Sequence, residues 1–271
     1  MMIARSFDSF CIILVFGIIV FCFHACKPQS EVGEIPQYAK ALLQAYPDNL
    51  SRYRNGRIYF RGGGSIICDD GIAKDYLERL DNTDIEDMFH DVYRTGELRI
   101  PDYLSDPGRY RCEDFFKRIY GSKEEKVRKQ LVNVDWFGQR IPFTKVNHAA
   151  DSLKAVEIEI KAVYPQYEEY FNHSSSFNWR SVRDADRLSA HSYGMAIDIC
   201  TDSSDYWRKS NPEKEELDEI EYQNRIPEDI IQVFERHGFI SGARWYHFDT
   251  MHFEFRPELL ILAKSSWHDC D

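Results

Sequence analysis

The apolar and polar positions of the chain divide it into stretches of different character. Residues 10–23, "FCIILVFGIIVFCF", are apolar and uncharged. That is short of the roughly 20 residues a membrane-spanning helix needs, and it fits the core of a signal peptide. Residues 27–37 are polar, contain Pro28 and Pro36, and read as a tether. From Tyr38 to Tyr46 the spacing predicts a short amphipathic helix stopped by Pro47. "GRIYFRGGGSIICDDG" predicts two short strands around Gly62–Gly64, a triplet without the Lys and Ser/Thr of a phosphate loop. "DNTDIEDMFHDVY" predicts a helix capped by Asp81 or Thr83, with Ile85, Met88, Phe89 and Tyr93 on one face. Residues 105–121 predict a turn and then a helix carrying Phe115, Phe116 and Ile119, and "SKEEKVRKQL" a solvated helical face.

Further on, "LVNVDWFGQRIPF" predicts a hairpin turning near Phe137-Gly138. Ala150, Leu153, Val156 and Ile160 recur at helical spacing, and another helix starts at Pro227 and ends at Gly238. Residues 201–226 are polar and acidic, an insertion or surface loop. Two stretches alternate instead. In "GMAIDI", Met195, Ile197 and Ile199 face one way, Ala196 and Asp198 the other; in "MHFEF", His252 and Glu254 lie opposite Phe253 and Phe255. The expected fold is α+β. A small antiparallel sheet carries the chemistry, helices pack on one side, and an additional N-terminal region precedes it.

Composition narrows the partners. Lys and Arg number 34 against 45 Asp and Glu, a net charge of −11, so no nucleic-acid partner is expected. An anionic ligand would have to be captured by local arginines. Of seven cysteines, Cys11, Cys22 and Cys26 fall in the export segment. Cys68, Cys112, Cys200 and Cys270 show no CxxC spacing, and are open to up to two disulfides or to remaining thiols. "FHACKP", with Ala25 before Cys26, resembles the lipobox of bacterial lipoproteins, although Phe23 and His24 replace the usual aliphatic and small residues. It implies a signal peptide over 1–25, lipidation of Cys26, a tether over 26–37 and a lipid-anchored protein of the bacterial cell envelope.

Chemistry concentrates in "SAHSYGMAIDIC" and "RWYHFDTMHFEF". A buried carboxylate needs a partner that offsets its desolvation, and a metal ion is one. Gly194 lets the chain turn so that His191 comes back over Asp198. With His252, two imidazoles, one carboxylate and an open fourth position are what a catalytic zinc takes. Asp249 stands three residues before His252, so it must sit in a turn or bulge ahead of that strand, near the metal without ligating it. For His191 and Asp198 alone, a structural ion pair is the simpler reading. His90, His148 and His237 read as structural.

Ser189, His191, Gly194, Ala196 and Asp198, followed by Asp249, Met251, His252, Phe253 and Glu254, resemble the VanY-like D-alanyl-D-alanine carboxypeptidases. These zinc peptidases include L-alanyl-D-glutamate endopeptidases and share a fold with the hedgehog signalling domain. The resemblance extends over residues 131–262 and implies a zinc peptidase domain at 131–264, preceded by an extension over 38–130 to which it gives no role. It implies one zinc ion on His191, Asp198 and His252, with Asp249 as general base. Arg180 would grip substrate, with Arg183 and Arg187 as alternatives. Ser189 would bond the turn backbone, Glu254 would orient a ligand, and His247 would belong to the pocket wall. Peptidoglycan stem peptides are the implied substrate, by carboxypeptidase or endopeptidase action. The alternative is a non-hydrolytic zinc-containing binding lipoprotein of the envelope. Relatives carry a "WGG.W" stretch where this chain has "SGARWYHFD", so Ser241, Ala243, Tyr246 and His247 would reshape the rim, and segment 202–226 would cover the cleft.

Overall fold

The computed structural model describes residues 34–182, 185–200 and 202–266. The signal-peptide reading, Cys26 and Cys270 lie outside the described residues, as does Arg183. From Glu34 onward the chain forms one compact unit. Helix α1 (Gln37–Ala45) buries Ala39, Ala41, Leu42 and Ala45, the stripe that its spacing predicts. Strands β1 (Leu50–Arg54), β2 (Arg57–Phe60) and β3 (Ser65–Ile67) form an antiparallel sheet in the order β1-β2-β3.

The helix expected over 81–93 is not formed. Instead α2 spans Tyr76–Asp81, started by a capping box in which Asp75 accepts from the Glu78 N–H and Glu78 reaches back to Asp75. After it, the Asp84 and Asp87 carboxylates accept from each other's backbone N–H at 2.9 and 3.0 Å, closing a single 3-10 turn at Asp87–Phe89. Such local side-chain bonds compete with a continuing helix. The burial expectation survives the change of element: Ile85, Met88 and Tyr93 are buried.

Helices α3 (Glu113–Tyr120) and α4 (Glu124–Arg128) lead to the hairpin of β4 (Leu131–Trp136) and β5 (Gln139–Thr144), followed by α5 (Ala149–Val163). The sheet that matters for function has the order β6-β8-β7 and is antiparallel throughout: β6 (Ala196–Asp198), β7 (Phe239–Gly242) and β8 (Asp249–Phe255). Between β6 and β7 lie a short helix α6 (Trp207–Ser210) and α7 (Glu228–Arg236), which starts after Pro227. The last helix is α8 (Pro257–Ser266). One face of the functional sheet is apolar and receives α7, with the Phe234 and Phe253 rings stacked 3.9 Å apart.

The other face carries Asp198, His252 and Glu254, and the N-terminal region closes part of it. Gly108 sits there at φ +110, and a Cβ at that position would lie 2.3 Å from Ile240 Cδ1 and 3.5 Å from Glu254 Oε1. A residue that tolerates positive φ and has no side chain is what this close approach requires. The Trp245 indole N–H donates to Pro107 O at 2.7 Å, and Tyr46 Oη donates to Glu258 at 2.8 Å, tying α1 to α8. Cys68, Cys112 and Cys200 carry free thiols. Among the described residues, no helix is long and apolar enough to cross a membrane.

Candidate metal centre

Strand pairing sets the first two donors. Asp198 on β6 lies directly opposite His252 on β8, and Ala196 lies opposite Glu254. Side chains at paired positions share a face, so the carboxylate and imidazole meet without any loop to position them. The third donor comes from a 3-10 turn at Ala190–Tyr193, begun by Ser189, whose hydroxyl accepts from the His191 N–H, and ended by Gly194 at φ +65. A Cβ on Gly194 would come within 2.4 Å of Leu131 Cδ2, so both the turn and its packing require glycine.

Hydrogen bonds fix the tautomers. His191 Nδ1 lies 2.6 Å from Ser176 O, and a carbonyl only accepts, so this nitrogen carries the proton and Nε2 points a lone pair inward. His252 Nε2 lies 3.2 Å from Glu254 Oε2, which leaves Nδ1 facing inward in the same way. The three inward atoms are close: His191 Nε2 to Asp198 Oδ1 is 3.1 Å, His252 Nδ1 to Asp198 Oδ1 is 3.0 Å, and the two nitrogens are 3.2 Å apart. Donors on a tetrahedral zinc at about 2.0–2.1 Å would be separated by roughly 3.3 Å. The donor set and its spacing fit that ion. Two acidic groups, Asp69-Asp70-Asp84 and Asp84-Glu86-Asp87, also cluster. Lys74 Nζ sits 2.8, 3.4 and 2.6 Å from Asp70, Asp84 and Asp87, so an ammonium already stands among three of their five carboxylates.

Burial works against ionisation of Asp198, yet His191 and His252 hold it well below the usual carboxylate range. Burial alone would depress the His252 imidazolium, but hydrogen bonds to Asp198 and Glu254 carry it to about 10, so a metal ion must displace the Nδ1 proton to use this nitrogen as a ligand. Glu254 is buried, and Arg111, His252 and Arg256 nevertheless bring it to about 2. Asp249 moves the opposite way: desolvation and the neighbouring Asp198 charge push it up to about 6. It is the first residue of β8, where the pairing with β7 slips: Ser241 faces Phe253 and Gly242 faces Asp249. The irregularity expected just before the strand falls instead on its first residue, and Asp249 lines the cleft.

That cleft, about 560 Å³, is lined by His191, Asp198, Asp249 and His252 together with Arg180 and Ser189. Arg180 is exposed, at the rim. Pattern reading placed His247 in the wall and segment 202–226 over the cleft, but missed Tyr76, Asp106, Arg109 and Arg111. Segment 201–226 is more than a surface loop. Its Trp207 is buried, with its ring 4.6 Å from that of His247, and Glu216 takes both terminal nitrogens of Arg109 at 3.0 Å. His247 is fully enclosed, with Nδ1 at 2.6 Å from Asp106 and 3.0 Å from Tyr76 Oη, and Nε2 at 2.9 Å from Glu216 O. It is a wall residue with both nitrogens engaged.

Asp106 is the hub of this wall, bonded to His247, Tyr76 and Arg109. Burial opposes its ionisation, but Arg109, His247 and Tyr76 lower its pKa to about 2. A carboxylate whose folded pKa is depressed stabilises the fold above its unfolded value and loses that contribution as pH falls toward the folded value. Asp106→Asn should therefore cost roughly 3 kcal/mol or more at neutral pH, the scale for stranding a buried partner. Denaturant unfolding should find the gap to wild type shrinking between about pH 4 and pH 2. A gap that stays constant with pH would contradict the assignment.

Residues 183–255 match the model of a family described as D-alanyl-D-alanine carboxypeptidase. The match supports the VanY-like zinc peptidase family, whose members are zinc-dependent in general. It spans all three strands of the functional sheet and contains His191, Asp198, Asp249, His252 and Glu254. Comparison with curated proteins and with solved structures found no match.

Proposed function

We propose that this chain, whose site-bearing segment matches the VanY-like zinc peptidases, hydrolyses peptide bonds in peptidoglycan stem peptides. The observation that carries the reading is the convergence of His191 Nε2, Asp198 Oδ1 and His252 Nδ1 within 3.2 Å, on a cleft that also contains a carboxylate raised to about 6. His191, Asp198 and His252 would hold one zinc ion. When bound, it would supply Lewis-acid polarisation of the scissile carbonyl and acidify a water molecule. Ser176 O and Glu254 keep the two imidazoles in the tautomers that face inward. Asp249 accepts the proton of the attacking water and returns it to the leaving amine. Arg180 at the rim meets a substrate carboxylate, a charge-assisted contact that an acidic protein needs locally.

Defined muropeptides incubated with the zinc-loaded protein and followed by mass spectrometry test the proposal. Loss of a terminal D-alanine marks a carboxypeptidase, and internal cleavage an endopeptidase. Intact peptides across the panel would reject hydrolysis and favour the binding-lipoprotein alternative.

The protein is proposed to act in the bacterial cell envelope, held to a membrane through lipid at Cys26. The support is the uncharged apolar run ahead of an Ala-Cys junction. Cys26→Ser should release the protein from the membrane fraction, and an unmodified Cys26 in the membrane-extracted protein would overturn the assignment.

A further inference from the structure

Five arginines line the cleft, and they are not equally occupied. Arg109 spends its terminal nitrogens on Glu216 and Asp106, and Arg208 also bonds Glu216. Arg180 stands at the rim. Arg111 and Arg187 differ from these. Among the described residues Arg111 engages Nη1 alone, at 3.2 Å from Gly108 O and 3.4 Å from Glu254, a carboxylate that Arg256 holds more closely at 2.9 Å. Among the described residues Arg187 also engages Nη1 alone, with Leu80 O at 2.9 Å and Asp81 at 3.0 Å, and the Asp81 side chain is 68% exposed. In both, Nε is buried and has no partner among the described residues.

Two guanidinium groups on one wall repel each other, and an anion bound against their terminal nitrogens relieves that repulsion. Burial and the charges of Arg111 and Arg109 lower the Arg187 pKa to about 10, a sign of surplus positive charge; it remains a cation at neutral pH. Arg111 comes from the segment 38–130, outside the family match, and Arg187 from inside it. The wall is therefore assembled across the two parts of the chain.

We infer that Arg111 and Arg187 form a second carboxylate subsite, separate from Arg180, that selects peptides bearing an acidic side chain upstream of the cleaved terminus. The inference rests on the proposed peptidase reading for the kind of ligand, and on the arginine geometry for its charge. Arginine's planar fork suits a carboxylate, and a carboxamide of the same shape would present donors to donors.

The test uses two synthetic peptides ending in D-alanyl-D-alanine, identical except that one upstream residue carries a carboxylate or its carboxamide. Binding is measured by calorimetry on the zinc-loaded Asp249→Asn protein, where turnover does not interfere. The acidic peptide should bind on the order of ten- to a hundredfold more tightly. Adding Arg187→Gln should cut that ratio to about threefold or less, with the loss falling on the acidic peptide. Arg111→Lys, which keeps charge near Glu254 but removes the fork, should lower the ratio while preserving the unfolding temperature. Equal binding of the two peptides, or a ratio unchanged by Arg187→Gln, would overturn the subsite. Hydrolysis by wild type is read separately. Cleavage of both peptides at equal kcat/KM would sink the subsite alone. Cleavage of neither, with the binding ratio intact, would sink the peptidase reading and leave the subsite standing.

Discussion

Asp249→Asn should reduce turnover on any stem peptide that wild type cleaves by roughly a hundred- to ten-thousand-fold, the usual worth of a positioned acid–base group. Bound zinc should stay at the wild-type level. The substitution keeps shape and nearly the volume, and Asp249 is not one of the three converging donors. What the amide cannot do is accept a proton. Desolvation and the Asp198 charge raise the Asp249 pKa to about 6. A zinc ion beside Asp198 and Asp249 favours the ionised carboxylate, so the rising limb of wild-type activity should fall below that value in the zinc-loaded protein. The Asn variant should lose this limb of the profile along with its rate. Loss of zinc in the variant would make Asp249 a ligand, and a wild-type rate would move the base elsewhere.

His252→Ala should remove most of the bound metal and bring turnover to background. Two remaining protein ligands rarely retain zinc tightly, because a closed set of deprotonated donors supplies most of the affinity. Folding should survive, since Glu254 keeps Arg256 at 2.9 Å and Arg111 at 3.4 Å once the imidazole is gone. Glu254→Gln provides a graded comparison. The ligand stays, but its orienting carboxylate becomes an amide, and metal affinity should fall by about ten- to a hundredfold. Metal content by mass spectrometry should order the proteins as wild type, Glu254→Gln, His252→Ala. Full occupancy in His252→Ala would reject the donor set.

The donor residues were legible in the sequence because their geometry is nearly local. Alternation alone puts Asp198 on the face away from Ile197, and His252 and Glu254 on the face away from Phe253. A register that sets Asp198 opposite His252 then needs only two short strands. Gly194 was readable for a similar reason, since a turn at positive φ leaves few alternatives. The helix expected over 81–93 failed where local bonds outweighed apolar periodicity. Ile85 and Met88 had the spacing, but Asp84 and Asp87 closed a turn on each other, and the capping box at Asp75 had already started a helix earlier.

Of the cleft walls, His247 and the segment 202–226 were legible, but the partners that hold them in place were not. Asp106 and His247 are 141 positions apart, Arg109 and Glu216 are 107 apart, and no periodicity or spacing links such pairs. Asp106-Pro107-Gly108 reads as a turn, which it is; that the turn packs on the site face of the sheet is tertiary information. Segment 38–130 received no role for the same reason, although Tyr76, Arg109 and Arg111 all reach the site or its wall.

Zinc titration against turnover tests the central claim most directly. Protein stripped with a chelator should cleave no stem peptide, and activity should return in proportion to added zinc, saturating at one ion per chain. Cleavage that persists after complete removal of metal, or no cleavage at full zinc loading, would contradict the assignment of His191, Asp198 and His252 as the centre of a zinc peptidase.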